Sequence, residues 1–198
     1  MNKLVLASGN QGKLREFNAL FARRSIEVVP QTALGVTTAE EPFSTFVENA
    51  LAKARNAARQ TGLPAMADDS GITAEVLHGA PGVHSARFAG DGADDAANNA
   101  KLVQALAGHA DRRAHYTCVL VAVKSADDPE PVIVDARWDG EIVDTPRGTG
   151  GFGYDPYFLV PEFNRTAAQL TAEEKNDVSH RGRAMRLMLE EIADRWGW

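Results

Sequence analysis

The sequence predicts an α/β chain in the broad sense, because short apolar runs of strand length alternate with segments whose apolar residues recur at helical spacing. Its 198 residues are enough for one substantial domain, with room for two lobes around a cleft. Hydrophobic residues make up 44% of the chain and charged residues 24%, which is ordinary for a globular protein. We therefore expect one packed domain covering residues 1–198.

Charge, cysteine content and hydropathy exclude several functional classes. The net charge of −6 argues against a broad nucleic-acid surface. The single cysteine, Cys118, cannot form an intramolecular disulfide, and its apolar surroundings in sequence favour a core residue over a nucleophile. We find no basic-then-apolar leader and no apolar run near the roughly 18 residues of a membrane span. We expect a cytoplasmic protein that binds neither nucleic acid nor membranes.

The first elements surround a polar loop, Ser8–Lys13, that contains two glycines. An apolar strand is predicted over 3–7, a helix follows Lys13, and a second strand is predicted over 26–29. A loop between strand and helix directs N–H groups and the positive end of the helix dipole at one point, which suits a phosphate. The loop lacks the Walker pattern, so an ordinary strand-to-helix turn is the alternative.

A long amphipathic helix is predicted after Glu40 and Glu41. Its first turn resembles a capping box over 45–48, and Gly62 is suited to its end. The two glutamates are either surface charge or, if the fold brings them to Asp69, candidate ligands of a cation.

The stretch after this helix contains the acidic pair on which the functional interpretation depends. A short apolar run over 63–67 ends in Asp68, Asp69, Ser70 and Gly71. Adjacent carboxylates disfavour each other's ionisation, and a divalent cation such as Mg²⁺ relieves that repulsion. Gly71 would let the backbone turn tightly there. The alternative is a polar turn at the end of a strand, and these residues alone leave both interpretations open.

The middle of the chain predicts further elements. Cap residues over 91–95 precede a helix that Gly108 ends, and the apolar run over 116–123 is typical of a central strand. Asp139-Gly140, flanked by apolar residues, predicts a two-residue hairpin. His84 lies in a turn-rich loop, where a ligand or base is possible and a structural role more common.

The most unusual composition lies over 147–156, which has four glycines and two aromatic residues. Glycines allow a ligand to lie against the backbone, and Phe152 or Tyr154 could stack on a flat ring. The alternative is a mobile surface loop, where exposed aromatic side chains would be a poor choice. We favour a binding loop.

The C-terminal region predicts a second capping box over 171–174 and a final helix after Ser179. Positive charge concentrates around the start of that helix, which fits a polyphosphate or a carbonyl-bearing base; the alternative is solvated charge. The residues concerned are Lys175, His180, Arg181 and Arg183.

Six motifs in this order resemble the non-canonical purine nucleoside triphosphate pyrophosphatase family, whose members act on ITP, XTP and dITP. The resemblance runs from Leu4 to Met188. Its carriers are S-G-N-Q-G-K at 8–13, F-V-E-N-A at 46–50, A-D-D-S-G at 67–71, G-A-P-G-V at 79–83, G-G-F-G-Y-D-P at 150–156 and E-E-K…S-H-R at 173–181.

The resemblance implies a mixed α/β fold with an elongated curved β-sheet flanked by helices, two lobes with an active-site cleft between them, and a homodimer. It also implies cleavage between the α and β phosphates with Mg²⁺, giving a nucleoside monophosphate and pyrophosphate. Asp69 would be proton acceptor and metal ligand, with Glu40 or Glu41 as the second acidic ligand. The implied substrate-binding residues are Ser8, Gly9, Asn10, Gln11, Gly12, Lys13, Ser70, Phe152, Gly153, Tyr154, Asp155, Lys175, His180 and Arg181.

Base selection has a chemical hypothesis of its own. A guanidinium has only donors, so it can bond the 6-oxo group of inosine or xanthine but faces N–H donors on adenine. We expect Arg181 to recognise that oxo group, with Phe152 as the stacking platform. His84 stands where many relatives are expected to carry an aromatic residue.

Two other functions fit the sequence less well. A pyrophosphatase of the septum-formation type is expected to carry S-x-R-R in the first loop, where this chain has S-G-N-x-x-K. A non-catalytic nucleotide sensor would have little need of both the acidic pair and the lysine of the phosphate loop.

Overall fold

The computed structural model describes residues 2–24 and 26–198, without the side chains of residues 11, 15, 19 and 23. Strands and helices alternate through most of this part of the chain. In order they are β1 (Asn2–Leu6), α1 (Gln11–Phe21), β2 (Ile26–Pro30), α2 (Phe46–Thr61), β3 (Ala65–Ala74), α3 (Asp95–Ala105), β4 (Arg113–Val123), β5 (Val132–Ile142), β6 (Phe158–Val160), β7 (Arg165–Thr166), α4 (Ala172–Val178) and α5 (His180–Trp196).

The strands form a seven-stranded sheet in the order β2-β1-β3-β4-β5-β6-β7. Strand β1 pairs in parallel with β2 and β3, whereas β6 pairs antiparallel with both β5 and β7. A parallel edge and an antiparallel edge in one open sheet make the fold mixed α/β, as predicted.

The chain divides into two compact units. Unit 1 comprises Met1–Asp69, Cys118–Ala136 and Arg181–Trp198, and unit 2 comprises Ser70–Thr117 and Arg137–His180. The single domain with an intervening cleft stays a prediction. Among the described helices, none combines the length and apolar character needed to cross a bilayer.

Unit 1 has a core on both faces of its strands. In β4, Cys118 and Leu120 pack in one cluster with residues of α1 and α5, while Val119 and Val121 pack in another with the alanines of α2. Neighbouring residues of a strand point to opposite faces, so a nearly continuous apolar run is what a strand covered on both sides requires. Burial raises the pKa of the Cys118 thiol to about 12, which fits the predicted core residue.

Unit 2 has an aromatic core. The ring centroid of Tyr116 lies 4.7 Å from that of Phe158, which in turn lies 5.1 Å from Trp138. The imidazole of His180 stacks on the Tyr116 ring at 4.6 Å with an interplanar angle of 5°. These buried rings fix the position at which the last helix begins.

The predicted hairpin at Asp139-Gly140 is wrong, because β5 continues without interruption through both residues. Gly140 has another reason to lack a side chain. A Cβ there would lie 2.5 Å from the carbonyl oxygen of Leu159 and 2.5 Å from the Phe158 ring. The glycine therefore allows β6 to approach β5 closely. In the sequence alone, a glycine with this role looks the same as a glycine in a turn.

Helix ends follow the local sequence signals. Gly62 ends α2 with φ +67°, and the Thr171 hydroxyl and Glu174 carboxylate form the predicted reciprocal capping box of α4. At the start of α2, the Thr45 side chain accepts from the backbone N–H of Glu48 and donates to its carboxylate at 2.5 Å. Thr45 therefore caps α2 as predicted, while the Glu48 carboxylate bonds to the Thr45 hydroxyl.

Candidate active site

Strand β3 carries the acidic pair in its interior, and this changes the expected geometry. The strand extends to Ala74, so the tight turn expected at Gly71 is wrong. Consecutive strand residues face opposite sides. Asp68 therefore lies on the side of Met66, which packs with α1 and α5, and Asp69 lies on the side of Ala67, which packs with α2. The two carboxylates do not share one site.

Asp68 is held by cations on its own face. Its Oδ2 lies 2.7 Å from Nζ of Lys13 and 3.7 Å from Nε of Arg181, and its side chain is 1% exposed. Burial by itself would raise the pKa of Asp68. The charges of Lys13, Arg181 and Lys53 outweigh that effect and hold the pKa below its usual value. Asp68 is therefore ionised in the folded protein near neutral pH.

Asp69 faces α2, where it contacts two polar residues. Its Oδ1 accepts from Nζ of Lys53 at 3.0 Å, and its Oδ2 accepts from Nδ2 of Asn49 at 3.4 Å. Nζ of Lys53 also lies 3.3 Å from Oε1 of Glu41. Two carboxylates thus converge on one cation, and the contact to Lys53 favours Glu41 over Glu40 as the second acidic residue of the site.

The pKa values of Asp69 and Lys53 are both raised, for different reasons. Burial raises the pKa of Asp69, although Lys53 opposes the shift, and Glu41 and Asp68 add to it. Burial alone would lower the pKa of Lys53, but the charges of Asp68, Asp69 and Glu41 raise it. A carboxylate with a raised pKa is a better proton acceptor than an ordinary aspartate. The role of Asp69 as proton acceptor stays a prediction.

The loop before α1 is folded by its own polar side chains. Oδ1 of Asn10 accepts from the backbone N–H groups of Gly12 at 2.8 Å and Lys13 at 3.1 Å, while Oγ of Ser8 accepts from the N–H of Asn10 at 3.2 Å. Asn10 is thus the N-cap of α1. This cap uses two of the backbone N–H groups that were expected to face a phosphate. The group of this loop that can still attract a phosphate by its charge is the Lys13 ammonium.

Several other predicted residues have simpler surroundings. Glu40, Gly9 and His84 are exposed, and Ser70 is half-buried beside Asp69 in sequence. The side chain of Gln11 lies outside the described part of the structure. Within residues 2–24 and 26–198, no three His, Cys, Asp or Glu side chains are grouped so that they could hold a metal ion.

In unit 2, the glycine-rich loop is folded around Asp155. Its Oδ2 accepts from the backbone N–H of Phe152 at 2.9 Å and from Nζ of Lys175 at 2.6 Å, and its Oδ1 accepts from the Tyr116 hydroxyl at 3.3 Å. Gly151 has φ +72°, and a Cβ there would lie 2.0 Å from the Asp155 carboxylate. The loop is therefore an ordered structure built on a buried carboxylate.

The two aromatic residues of this loop have different environments. Tyr154 is 5% exposed, belongs to the core of unit 2 and donates to the carbonyl oxygen of Ser85 at 2.7 Å. Phe152 is 37% exposed, and Nζ of Lys175 lies 5.1 Å from its ring centroid. Phe152 is therefore the more exposed of the two rings, and Tyr154 supports the loop from within.

Arg181 occupies a different environment from the one expected of a residue that recognises a base. Its guanidinium is 5% exposed, with NH1 3.0 Å from the Glu16 carboxylate. Burial would lower its pKa, but Asp68 and Glu16 contribute to a net rise. These contacts favour a role in holding Asp68. Recognition of the base by Arg181 stays a prediction.

Sequence reasoning missed Lys53 and Asn49, although a signal existed. Both lie on the buried face of α2 among alanines, and they are 9% and 1% exposed. A lysine and an asparagine four residues apart within an apolar stripe are unusual, because buried polar groups need partners. Asn49 further clamps the chain before α2, since its amide exchanges two hydrogen bonds of 3.1 Å with the backbone of Phe43.

The mixed α/β fold and the buried lysine–carboxylate pairs of unit 1 are typical of an α/β enzyme that binds anionic ligands. The chain belongs to the Ham1 family, which it matches over residues 4–191. The family resemblance drawn from the six motifs is confirmed.

Relatives and solved structures agree along almost the whole chain. The chain is 60% identical to a dITP/XTP pyrophosphatase of Ralstonia nicotianae, covering 97% of each sequence, and 56% identical to one of Nitrosomonas europaea, covering 98% of this chain and 96% of that one. The structure of a HAM1 protein from Coxiella burnetii superposes with a TM-score of 0.93 at 48% identity, covering 98% of this chain and all of that one.

Proposed function

We propose that this protein hydrolyses non-canonical purine nucleoside triphosphates, among them dITP, XTP and ITP, to the nucleoside monophosphate and pyrophosphate. The observation that carries the proposal is the pair Asp69–Lys53 with Glu41, in a chain that is 60% identical over 97% of its length to a dITP/XTP pyrophosphatase. Membership of the Ham1 family selects this function over the septum-formation type of pyrophosphatase.

The triphosphate binds to cationic groups of unit 1. Lys13 and Lys53 each hold a carboxylate within 3.0 Å, so each ammonium is fixed in place before the substrate arrives. Preorganised charges of this kind stabilise the charge that develops on the phosphoryl oxygens. Asp69 accepts the proton of the attacking water, and its raised pKa suits that role.

The acidic residues fit a divalent cation in part. Asp69 and Glu41 place carboxylate oxygens 3.0 Å and 3.3 Å from the Lys53 ammonium, and carboxylate oxygens are the ligands that Mg²⁺ prefers. Two carboxylates together with substrate phosphates make the usual Mg²⁺ site of nucleotide enzymes. When bound, the ion would neutralise phosphate charge and favour departure of pyrophosphate.

The base binds to unit 2. Phe152 supplies the exposed ring for stacking, and Lys175 lies above that ring with its ammonium bonded to Asp155. An ammonium has donors only, so it can bond a 6-oxo group, as a guanidinium would. Lys175 is therefore a candidate for recognising the oxo group of inosine and xanthine, whereas the contacts of the Arg181 guanidinium with Glu16 and Asp68 favour a role in holding Asp68.

The test is a substrate screen on the purified protein. ITP, XTP and dITP should release pyrophosphate and monophosphate in one step, far faster than ATP or GTP, and EDTA should stop the reaction. Chromatography at early times distinguishes this from a diphosphate and inorganic phosphate, which would refute the proposed bond choice. Binding of ITP without turnover would instead favour a nucleotide sensor.

We further propose a cytoplasmic homodimer without nucleic-acid or membrane partners, on the basis of the family resemblance and the net charge of −6. Light scattering on the eluting protein measures its mass, and a value near the 21.3 kDa of one chain would refute the dimer.

A further inference from the structure

Helix α3 reaches the glycine-rich loop through two side chains of its first turns. The Asp95 carboxylate accepts from the backbone N–H of Gly153 at 2.7 Å, and the Asn99 amide donates to the carbonyl oxygen of the same residue at 2.9 Å. Both backbone groups of Gly153 are thus bonded to one helix. Gly153 has φ +62°, in the left-handed region that glycine adopts freely, and it directly follows Phe152.

From these contacts we propose that Asp95 and Asn99 are positioning residues for base binding: by holding Gly153, they fix the Phe152 ring against the purine. The inference rests on the proposed function, in which Phe152 is the stacking platform. On its other side, Phe152 is held through its backbone N–H by Asp155, at 2.9 Å. The exposed ring therefore lies between two fixed points of the backbone.

Asn99 is buried and, within the described part of the chain, uses only the donor side of its amide. Its Nδ2 donates to the carbonyl oxygens of Asp95 and Gly153, but its buried Oδ1 accepts no hydrogen bond among the described residues. A buried acceptor without a donor lowers the stability of the fold. The donors of the Asn99 amide are the part of the side chain that is used, and one of them holds the loop.

A Phe152 ring that is already fixed lowers the entropic cost of binding a base, because no side-chain freedom has to be lost when the base arrives. Lys13, Lys53 and Asp69, to which we assign the triphosphate and the attacking water, belong to unit 1 and make none of these contacts. Loss of the Asp95 or Asn99 bond to Gly153 should therefore raise KM by weakening binding of the base, with little effect on kcat.

The experiment compares isosteric and truncated variants with ITP as substrate. Asp95→Ala and Asn99→Ala each remove one bond to Gly153, and each should raise KM for ITP about 3- to 10-fold, as expected for loss of one hydrogen bond to the loop, with kcat within about twofold. Asp95→Asn keeps an acceptor oxygen of the same shape and should stay near the wild-type KM. Asn98→Ala is the matched control, because Asn98 is a buried neighbour whose bonds go to Ala86 and Ala89. It should lose stability without the rise in KM.

Amide exchange at Gly153, followed by NMR, gives a readout that does not depend on activity. Exchange should accelerate in Asp95→Ala and stay slow in Asp95→Asn. Unchanged exchange and unchanged KM in Asp95→Ala and Asn99→Ala would overturn the inference, as would equal defects in Asp95→Ala and Asp95→Asn. A wild-type protein that turns over no ITP refutes the proposed function, and the exchange measurement then still decides whether α3 holds the loop.

Discussion

The neighbouring aspartates of β3 should respond in opposite ways to the same substitution. Aspartate and asparagine are nearly isosteric, so Asp68→Asn and Asp69→Asn each remove one negative charge with little change of shape. Asp68 has its pKa lowered by Lys13, Arg181 and Lys53 against the effect of burial, whereas burial raises the pKa of Asp69. The first charge stabilises the folded state and the second does not.

The magnitudes follow from burial. Removing one partner of a buried ion pair costs about 3–5 kcal/mol. The Lys13 side chain is 18% exposed and can reach water, so we expect Asp68→Asn to lower the free energy of unfolding at pH 7 by about 3 kcal/mol, at the lower end of that range. Asp69→Asn leaves Glu41 as a partner of Lys53, and its effect on stability should stay under about 1 kcal/mol. Its turnover should fall about 10²- to 10⁴-fold, as for loss of a general base.

Urea denaturation from pH 3 to pH 8, read by tryptophan fluorescence, provides the assay. Because the folded pKa of Asp68 is lowered, its contribution is fully present above the unfolded value near 4 and is lost as the pH falls through the folded value. The wild type and Asp68→Asn should therefore differ most near neutrality, and the difference should begin to narrow as the pH falls below about 4. Equal destabilisation by both substitutions would refute the separation of the two carboxylates. Turnover of Asp69→Asn above about a tenth of the wild-type rate, or 1.4 kcal/mol of barrier, would remove Asp69 as the base.

Three further predictions follow from particular contacts. Lys53→Met should reduce turnover at least tenfold, because the carboxylates of Asp69 and Glu41 then repel each other without the ammonium that they share. Single-turnover kinetics measures this rate, and full activity of the variant would refute the prediction. Gly140→Ala should lower the free energy of unfolding, measured in urea, by about 1–3 kcal/mol, because the added methyl group overpacks the contact between β5 and β6. An unchanged free energy of unfolding would contradict this close approach. Arg181→Ala should reduce kcat/KM for ITP and ATP by similar factors, because the guanidinium holds Asp68; a selective loss on ITP would assign it to the base.

The sequence went furthest where the signals are local or occur together in order. Six motifs in fixed order were enough for the family and the class of reaction, because their joint occurrence is specific although each is weak. Helix ends were predictable at Gly62 and Thr171, since capping depends on residues a few positions apart. The apolar run around Cys118 was predictable as a buried strand for the same reason.

Only the tertiary structure decided which side chains meet. Asp68 and Asp69 are adjacent in sequence and lie on opposite faces of β3, a fact that depends on whether the strand continues past them. Lys53 reaches Asp69 across 16 positions, and Asp95 reaches Gly153 across 58. A local pattern can show that a residue is polar or that a glycine is present. Partners distant in sequence are determined by how strands pair and helices pack, and this is why Gly140 resembled a turn and proved to be the point where β6 approaches β5.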